Sequence, residues 1–404
     1  MKSSRLYIFA TVFVLGWWIL AFAPSSNTYT LVTAAHKSSL LETSSSSPYL
    51  YPISRQKLHQ ALLGDAEIMI SLMAQWDTEA RLLAFCEASN SQRLSSNKYL
   101  KAQLLGRRIQ AREQGIDTTE YPTRFNETAD DAGAFHDSRR RERFLPQTYV
   151  AASFLLALTE PEQIVALPKG LRDLHNLYPA ELLDRIPLDC GPYQTESLLK
   201  LRPDIAFIAP YSMPATRQAL ANQGIELFTI SNINTLEEIQ DALLKVGDVS
   251  GRPEEAELLA LFMEAAICAL DNRLLYAEKK KKDVLYLNYY SKFAAPTDHT
   301  LAGSLLHRLG INQFAHLKAS SNHWQIPLEN ERIARLQPQA IILSASNGTE
   351  LKSLVMNHPA FRDVPAIKTG QIFAVDASIQ DSSSQFAILA YYDLVNALLE
   401  VDQQ

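Results

Sequence analysis

ESLLKLRPDIAFIA, residues 196–209, and ERIARLQPQAIILS, residues 331–344, decide how this chain is read. Each opens on a Glu and carries apolar residues at helical spacing, Leu198 and Leu201 in one and Ile333 and Leu336 in the other. Each then meets a Pro seven positions after its Glu (203−196 and 338−331). Apolar residues three apart fit one face of a helix, and the Pro stops that helix. The apolar run that follows is what a parallel strand covered on both faces looks like. The unit recurs 135 residues later (331−196), which predicts two similar α/β lobes. Ligands of open α/β sheets sit beyond the carboxyl ends of the strands, so two such lobes facing each other enclose a cleft.

The rest of the chain is consistent with this frame. Its 404 residues are 47% hydrophobic and 20% charged, as in soluble globular proteins of two or three domains. A net charge of −6 argues against nucleic acid as the main partner. The basic clusters at 139–143 and 279–282 read as solvated segments. Lys2 and Arg5 precede an apolar run at 6–23, an export signal or a short anchor that is just long enough to cross a bilayer. Pro24 opposes cleavage after Ala21-Phe22-Ala23, so a cleaved and a retained segment both stay open. Either places the body outside the cytoplasm, periplasmic and in the second case tethered to the inner membrane. Cys86, Cys190 and Cys268 show no metal-ligand spacing; a disulfide of Cys190 and three buried thiols are both compatible with them.

The chain divides into a signal or anchor with linker (1–35), a mostly helical extension (36–142), an α/β lobe (143–252), a connecting helix (253–282) and a second α/β lobe (283–404). Within the extension AEIMISLM (67–74) and RLLAFC (81–86) read as helix then strand, and the polar stretch 116–142 as an exposed loop or a flexible insert. The Glu-rich start and Lys-rich end of the connecting helix both suit the helix dipole.

RFLPQTYVAASFLLALTEPEQIVALP (143–168), the 196–209 unit, VGDVSGRPEEAELLALFMEAA (246–266) and HPAFRDVPAIKTGQIFAVD (358–376) together resemble the helix-backbone substrate-binding proteins of ABC importers for ferric siderophores, haem and cobalamin. The resemblance covers about 143–404; residues 36–142 match nothing in the family pattern, and Gln339 stands where an Asp is common. It implies two Rossmann-like lobes on one long backbone helix, a monomer without a resident cofactor, and no enzymatic activity. Its cargo would be a metal chelate, a ferric siderophore first, with haem or cobalamin in the same role as the alternative. It also implies that Glu196 and Glu331, one per lobe, meet Arg pockets on the membrane permease.

The cleft should be lined by residues just past strand ends: Gln147, Thr148, Tyr149, Lys169, Arg172, Tyr211 and Ser212 in the first lobe. In the second these are Asn288, Tyr289, Tyr290, His299 and Gln380, with Trp324 from the loop before the second unit. Thr297, Ser344, Ser346 and Asp381 lie at similar positions. Aromatic faces suit a flat or bulky chelate, and Lys or Arg its anionic groups. An axial haem ligand would come from Tyr149, Tyr211, His175 or His299. The nine His residues show no HxH or HxxxH spacing, which makes a bare zinc or manganese ion the weaker cargo. No GxSxG, Walker loop, HExxH or GxGxxG occurs. A chelatase would share the paired lobes but not an export signal, and a membrane-tethered sensor or scaffold that lost its ligand is the remaining alternative.

Overall fold

A computed structural model describes residues 53–401, except 86–91, 117, 119–120, 122–126, 138–140, 192–194, 232, 277–282 and 312–322. The apolar run at 6–23, Cys86 and the 279–282 lysines lie outside the described residues, among which no helix is long and apolar enough to cross a membrane. Cys190 and Cys268 are free thiols.

The extension is three helices, α1 (Arg55–Leu62), α2 (Ala66–Phe85) and α3 (Ser96–Glu113), followed by an antiparallel hairpin of β1 (Glu127–Ala129) and β2 (Phe135–Asp137). Helix α2 replaces the helix-then-strand expected there. Met69, Leu72, Met73, Trp76 and Ala80 are all buried, and their spacing of three and four carries one helical face through the whole segment. The hairpin likewise replaces the expected loop. Arg141 is buried, not solvated: it donates to both carboxylate oxygens of Glu226 at 2.7 and 2.9 Å and to the Val249 carbonyl at 3.0 Å.

The first lobe runs β3 (Phe144–Pro146), α4 (Tyr149–Leu158), β4 (Leu167–Pro168), α5 (Ala180–Leu183), β5 (Asp189–Cys190), α6 (Thr195–Lys200), β6 (Ile205–Ile208), α7 (Pro214–Asn222), β7 (Glu226–Thr229) and α8 (Leu236–Val249). Strands β3, β6 and β7 form a parallel sheet in the order β3-β6-β7, and β4 pairs with β5 in parallel beside it. Helix α9 (Pro253–Tyr276), 24 residues long, then spans about 36 Å. The second lobe follows with β8 (Val284–Tyr289), β9 (Phe293–Pro296), α10 (Leu301–Arg308), β10 (Gln325–Pro327), α11 (Asn330–Leu336), β11 (Ala340–Ala345), α12 (Gly348–Asn357), α13 (Pro365–Lys368), β12 (Ile372–Asp376), α14 (Ala377–Gln380) and α15 (Ala387–Val401). Its sheet order is β10-β9-β8-β11-β12, parallel across β8, β11 and β12.

The two repeated units are the same structure: α6 into β6, and α11 into β11. In both, the residue before the Pro turns left-handed, Arg202 at φ 47° and Gln337 at φ 51°. The ring of the following Pro disfavours the helical region there, so the chain leaves the helix at that point. Every residue of β6 and β11 is buried. Asp204 in the first unit accepts from the backbone N–H of Glu142 and Arg143 at 2.8 and 2.9 Å, anchoring the start of β3. At the equivalent point of the second, Gln339 anchors β8 through its own N–H to the Asp283 carbonyl, without using its side chain.

One core joins the extension, α9, the apolar helices of the first lobe and the closing helix α15. Trp76 of α2 packs on Phe262 of α9 with ring centroids 5.4 Å apart. Alongside, α3 faces the acidic edge of α9. Arg108 and Arg112 both bind the carboxylate of Glu254, Arg112 also binds Glu255, Lys101 pairs with Glu257, and Lys98 pairs with Glu264.

Candidate functional site

Between the lobes lies a cavity of about 740 Å³, within the range of small-molecule sites. Its walls are built where parallel strands end, as expected for open α/β sheets. Past β3, Thr148 caps α4 by accepting from the Ala151 N–H at 3.2 Å, and this sets Tyr149 on the first turn. Tyr149 donates its hydroxyl to the Lys169 carbonyl at 3.0 Å and lies over Gly170, whose φ is +90°. A Cβ there would come within 2.6 Å of that hydroxyl, so Gly170 both permits the turn and seats the ring. Past β6, Ser212 closes a turn by accepting from the Ala209 N–H at 3.0 Å, and Tyr211 stands beside it, 75% exposed.

The opposite wall comes from Tyr290 past β8, Ser346 past β11, and Ser378 and Asp381 past β12. Trp324, 57% exposed, hangs over it from the segment before β10. Thr297 holds that segment in place, receiving nothing from the cleft: its hydroxyl donates to the His323 carbonyl at 2.8 Å and its N–H to the Trp324 carbonyl at 3.0 Å. Tyr290 donates its hydroxyl to the Asp381 carboxylate. Burial pushes the Asp381 carboxyl above its usual range, and the Tyr290 bond opposes that rise. The Tyr290 phenol is raised in turn, by burial first and then by the carboxylate it serves. The floor is apolar with a few hydroxyls: Leu174, Leu177, Ser153, Tyr178 and Ser384.

The structure thus gathers Gln147, Thr148, Tyr149, Tyr211, Ser212, Tyr290 and Trp324 around one space. Tyr149, Tyr211, Met213, Tyr290 and Trp324 are five of the exposed large apolar side chains among the described residues, and all five face this cavity. Concentrated exposure of that kind marks a binding surface.

Other expected residues lie elsewhere. Asn288 is buried inside the second lobe opposite Ser344 in the β8–β11 register, and Gln380 is fully buried. Tyr289 stacks on Phe293 in the lobe's own core, centroids 5.0 Å apart. Tyr290, the first residue past β8, reaches the cleft, and its neighbour inside the strand does not. Arg172 is spent on structure: it pairs with Asp189 at 2.9 Å and donates to the Leu183 and Ile186 carbonyls, holding the turn around α5. Lys169 offers its backbone carbonyl to Tyr149 and its side chain is exposed outside the lining; His175 and His299 are exposed outside it as well. Sequence reasoning passed over Met213, Ser153, Tyr178 and the Ser382–Ser384 run. The last sits directly past Asp381, in the loop after α14.

Glu196 and Glu331 are exposed in the first turns of α6 and α11, one on each lobe. Among the described residues, no three His, Cys, Asp or Glu side chains converge as a metal site.

Residues 180–379 match the family model of periplasmic binding proteins. No curated protein matches the chain. Among solved structures, a possible iron-binding periplasmic solute-binding protein from Staphylococcus epidermidis superposes with a TM-score of 0.55 at 16% identity, covering 64% of this chain and 99% of its own. The periplasmic haem-binding protein RhuT from Roseiflexus sp. RS-1 gives 0.54 at 22% identity, over 65% and 100%. The periplasmic haem-binding protein HutB of Vibrio cholerae gives 0.53 at 19%, over 63% and 97%. Over residues 180–379 the chain is similar to the periplasmic binding proteins, and its fold, two α/β lobes joined by one long helix, is the one it shares with these solved structures.

Proposed function

We propose that this protein is an extracytoplasmic solute-binding protein that holds a metal chelate in the interlobe cleft and delivers it to an ABC permease. The observation that carries the reading is the cluster of exposed aromatics, Tyr149, Tyr211, Tyr290 and Trp324, facing one cavity between two parallel-sheet lobes. Flat aromatic faces cover a large rigid ligand at small entropic cost. Structural relatives described as binding iron, haem and, in the BtuF protein of Vibrio cholerae, vitamin B12 support a chelate as the cargo class. Within that class a ferric siderophore is our first choice, with haem or a corrinoid in the same role.

Delivery is assigned to Glu196 and Glu331, whose matched positions on the two lobes give a permease a symmetric pair of carboxylates to engage. The apolar run at 6–23 supports export, with the protein working at the outer face of the inner membrane.

The test is to purify the exported full chain from an iron-replete host and record its visible spectrum. A Soret band, a ferric catecholate or hydroxamate band, or a corrinoid spectrum names the chelate. A colourless protein whose Trp fluorescence ignores all such chelates refutes the proposal and leaves the scaffold reading.

A further inference from the structure

We propose that the cleft selects a chelate of zero or positive net charge and rejects anionic ones. This rests on the chelate-binding reading above and narrows it. The one charged side chain among the described residues lining the cavity is a carboxylate, Asp381. Of the cations expected from the sequence, Arg172 is tied to Asp189 and two carbonyls, and the exposed Lys169 side chain lies outside the lining, giving the site only its carbonyl, to Tyr149.

The chemistry of the walls points the same way. Aromatic faces carry the negative lobe of the ring quadrupole, so Tyr149, Tyr211, Tyr290 and Trp324 attract a cation or a neutral ligand over an anion. An anion leaving water for this space would meet Asp381 instead of a counter-charge, and an unpaired charge in a desolvated site is strongly unfavourable. Hydroxyls line both walls, Ser212 and Ser231 on one and Ser346 and Ser378 on the other. Gln147 adds an amide nitrogen with no hydrogen-bond partner. Such groups match the carbonyl, amide and hydroxamate oxygens of an uncharged chelate. A haem with two propionates or a ferric tris-catecholate with three negative charges would find, among the described residues lining the cavity, none of the Arg or Lys forks that recognise such groups.

The experiment keeps shape constant and varies charge. Ferrioxamine B carries one ammonium; its N-acetyl form is neutral at that end and its N-succinyl form ends in a carboxylate. Binding of the three to the full-length protein is measured by quenching of Trp fluorescence and by calorimetry, alongside cyanocobalamin, haemin and a ferric tris-catecholate. The expected order is cation, then neutral, then anion, with the first and last at least about tenfold apart. Asp381→Asn should bring the two within about twofold, and Asp381→Lys should reverse them. Binding of cyanocobalamin alone, a net-neutral ligand, also supports the proposal. Tighter binding of haemin, the catecholate or the succinylated form overturns the charge rule while leaving a chelate-binding protein. Failure of every probe in the wild type overturns both readings.

Discussion

Glu254→Gln should loosen the whole molecule, because Glu254 is where the extension grips the connecting helix. Its side chain is 2% exposed in the first turn of α9, and it accepts from Arg108 and, at 2.6 Å, from Arg112. Removing one partner of a buried ion pair costs about 3–5 kcal/mol. Two things reduce that here. The Arg108 and Arg112 side chains are 19% and 39% exposed, so water recovers part of their charge, and Gln keeps one carbonyl oxygen as an acceptor. The helix dipole adds about 0.3–1 kcal/mol in favour of the lost negative charge. The balance is a loss of about 2 kcal/mol. Lys98, whose pair with Glu264 lies open at 50% and 37% exposure, provides the control. Lys98→Ala should cost under about 1 kcal/mol. Urea unfolding followed by circular dichroism checks both: at a slope of about 3 kcal/mol/M the Gln variant's midpoint falls by about 0.7 M. If Glu254→Gln shifts the midpoint no more than Lys98→Ala, the extension does not brace α9 through this contact.

Further outcomes follow from the site and its supports. Glu196→Ala combined with Glu331→Ala should abolish uptake in cells while the purified protein binds its chelate unchanged; weakened binding would remove the docking role. Trp324→Ala should reduce chelate affinity by about 10- to 100-fold in a fluorescence or calorimetric titration. Its ring is mostly exposed, so the unfolding free energy should stay within about 0.5 kcal/mol of wild type. His59 donates to the Leu177 carbonyl at 2.7 Å, and burial first, with Arg55 assisting, lowers its pKa from the ordinary 6.5. The unfolded chain therefore binds the proton more readily, so the His59 contribution is whole above pH 6.5 and is lost as pH falls through the lowered folded value. His59→Gln should flatten that part of a stability-against-pH curve; an unchanged slope would place it on other groups.

What the sequence reveals about this fold is what neighbouring residues determine among themselves. Strand FLP falls where its apolar run places it, at Phe144–Pro146, because burial on both faces leaves a continuous signature; IFAVD falls at Ile372–Asp376 although Ala374 is exposed, its apolar run alone marking it. The repeated unit is legible for the same reason, with Pro203 and Pro338 marking its turn. Long-range pairing is what local polarity hides. Arg141 reads as one of a solvated cluster until β7 supplies Glu226, 85 residues away in sequence. His136, in the polar stretch that reads as a loop, packs on Phe228 with centroids 5.0 Å apart and bonds to the same Glu226. Arg172 reads as a ligand cation for the converse reason: nothing near it in sequence announces that Asp189 and two carbonyls will occupy it. Of the aromatic residues, the end of β8 separates Tyr289, inside the strand, from Tyr290, just past it, a boundary that the run VLYLNYY does not mark.

The part of the chain outside the family pattern turns out to support the cleft directly. Gln385, fully buried just before α15, donates to the Ser153 carbonyl at 2.9 Å and to the Leu62 carbonyl at 3.2 Å. One side chain of the second lobe thus ties the first lobe's α4 to the extension's α1. Phe386 beside it packs on both His59 and Tyr178, with centroids 5.7 and 5.5 Å away. Tyr178 in turn shares a hydrogen bond with Ser153, and both line the floor of the cavity. Arg55 and Asp393 close the same junction with two bonds, and Asn176 donates to Asp376 from one lobe to the other. A floor assembled from three segments with satisfied donors has little freedom left to lose when a ligand arrives. Binding therefore forgoes less conformational entropy than it would between two lobes held by α9 alone. On this reasoning residues 53–113 keep the cleft in its binding geometry before the ligand enters, and they do so from beneath, where they obstruct neither the aromatic walls nor the exposed carboxylates of Glu196 and Glu331.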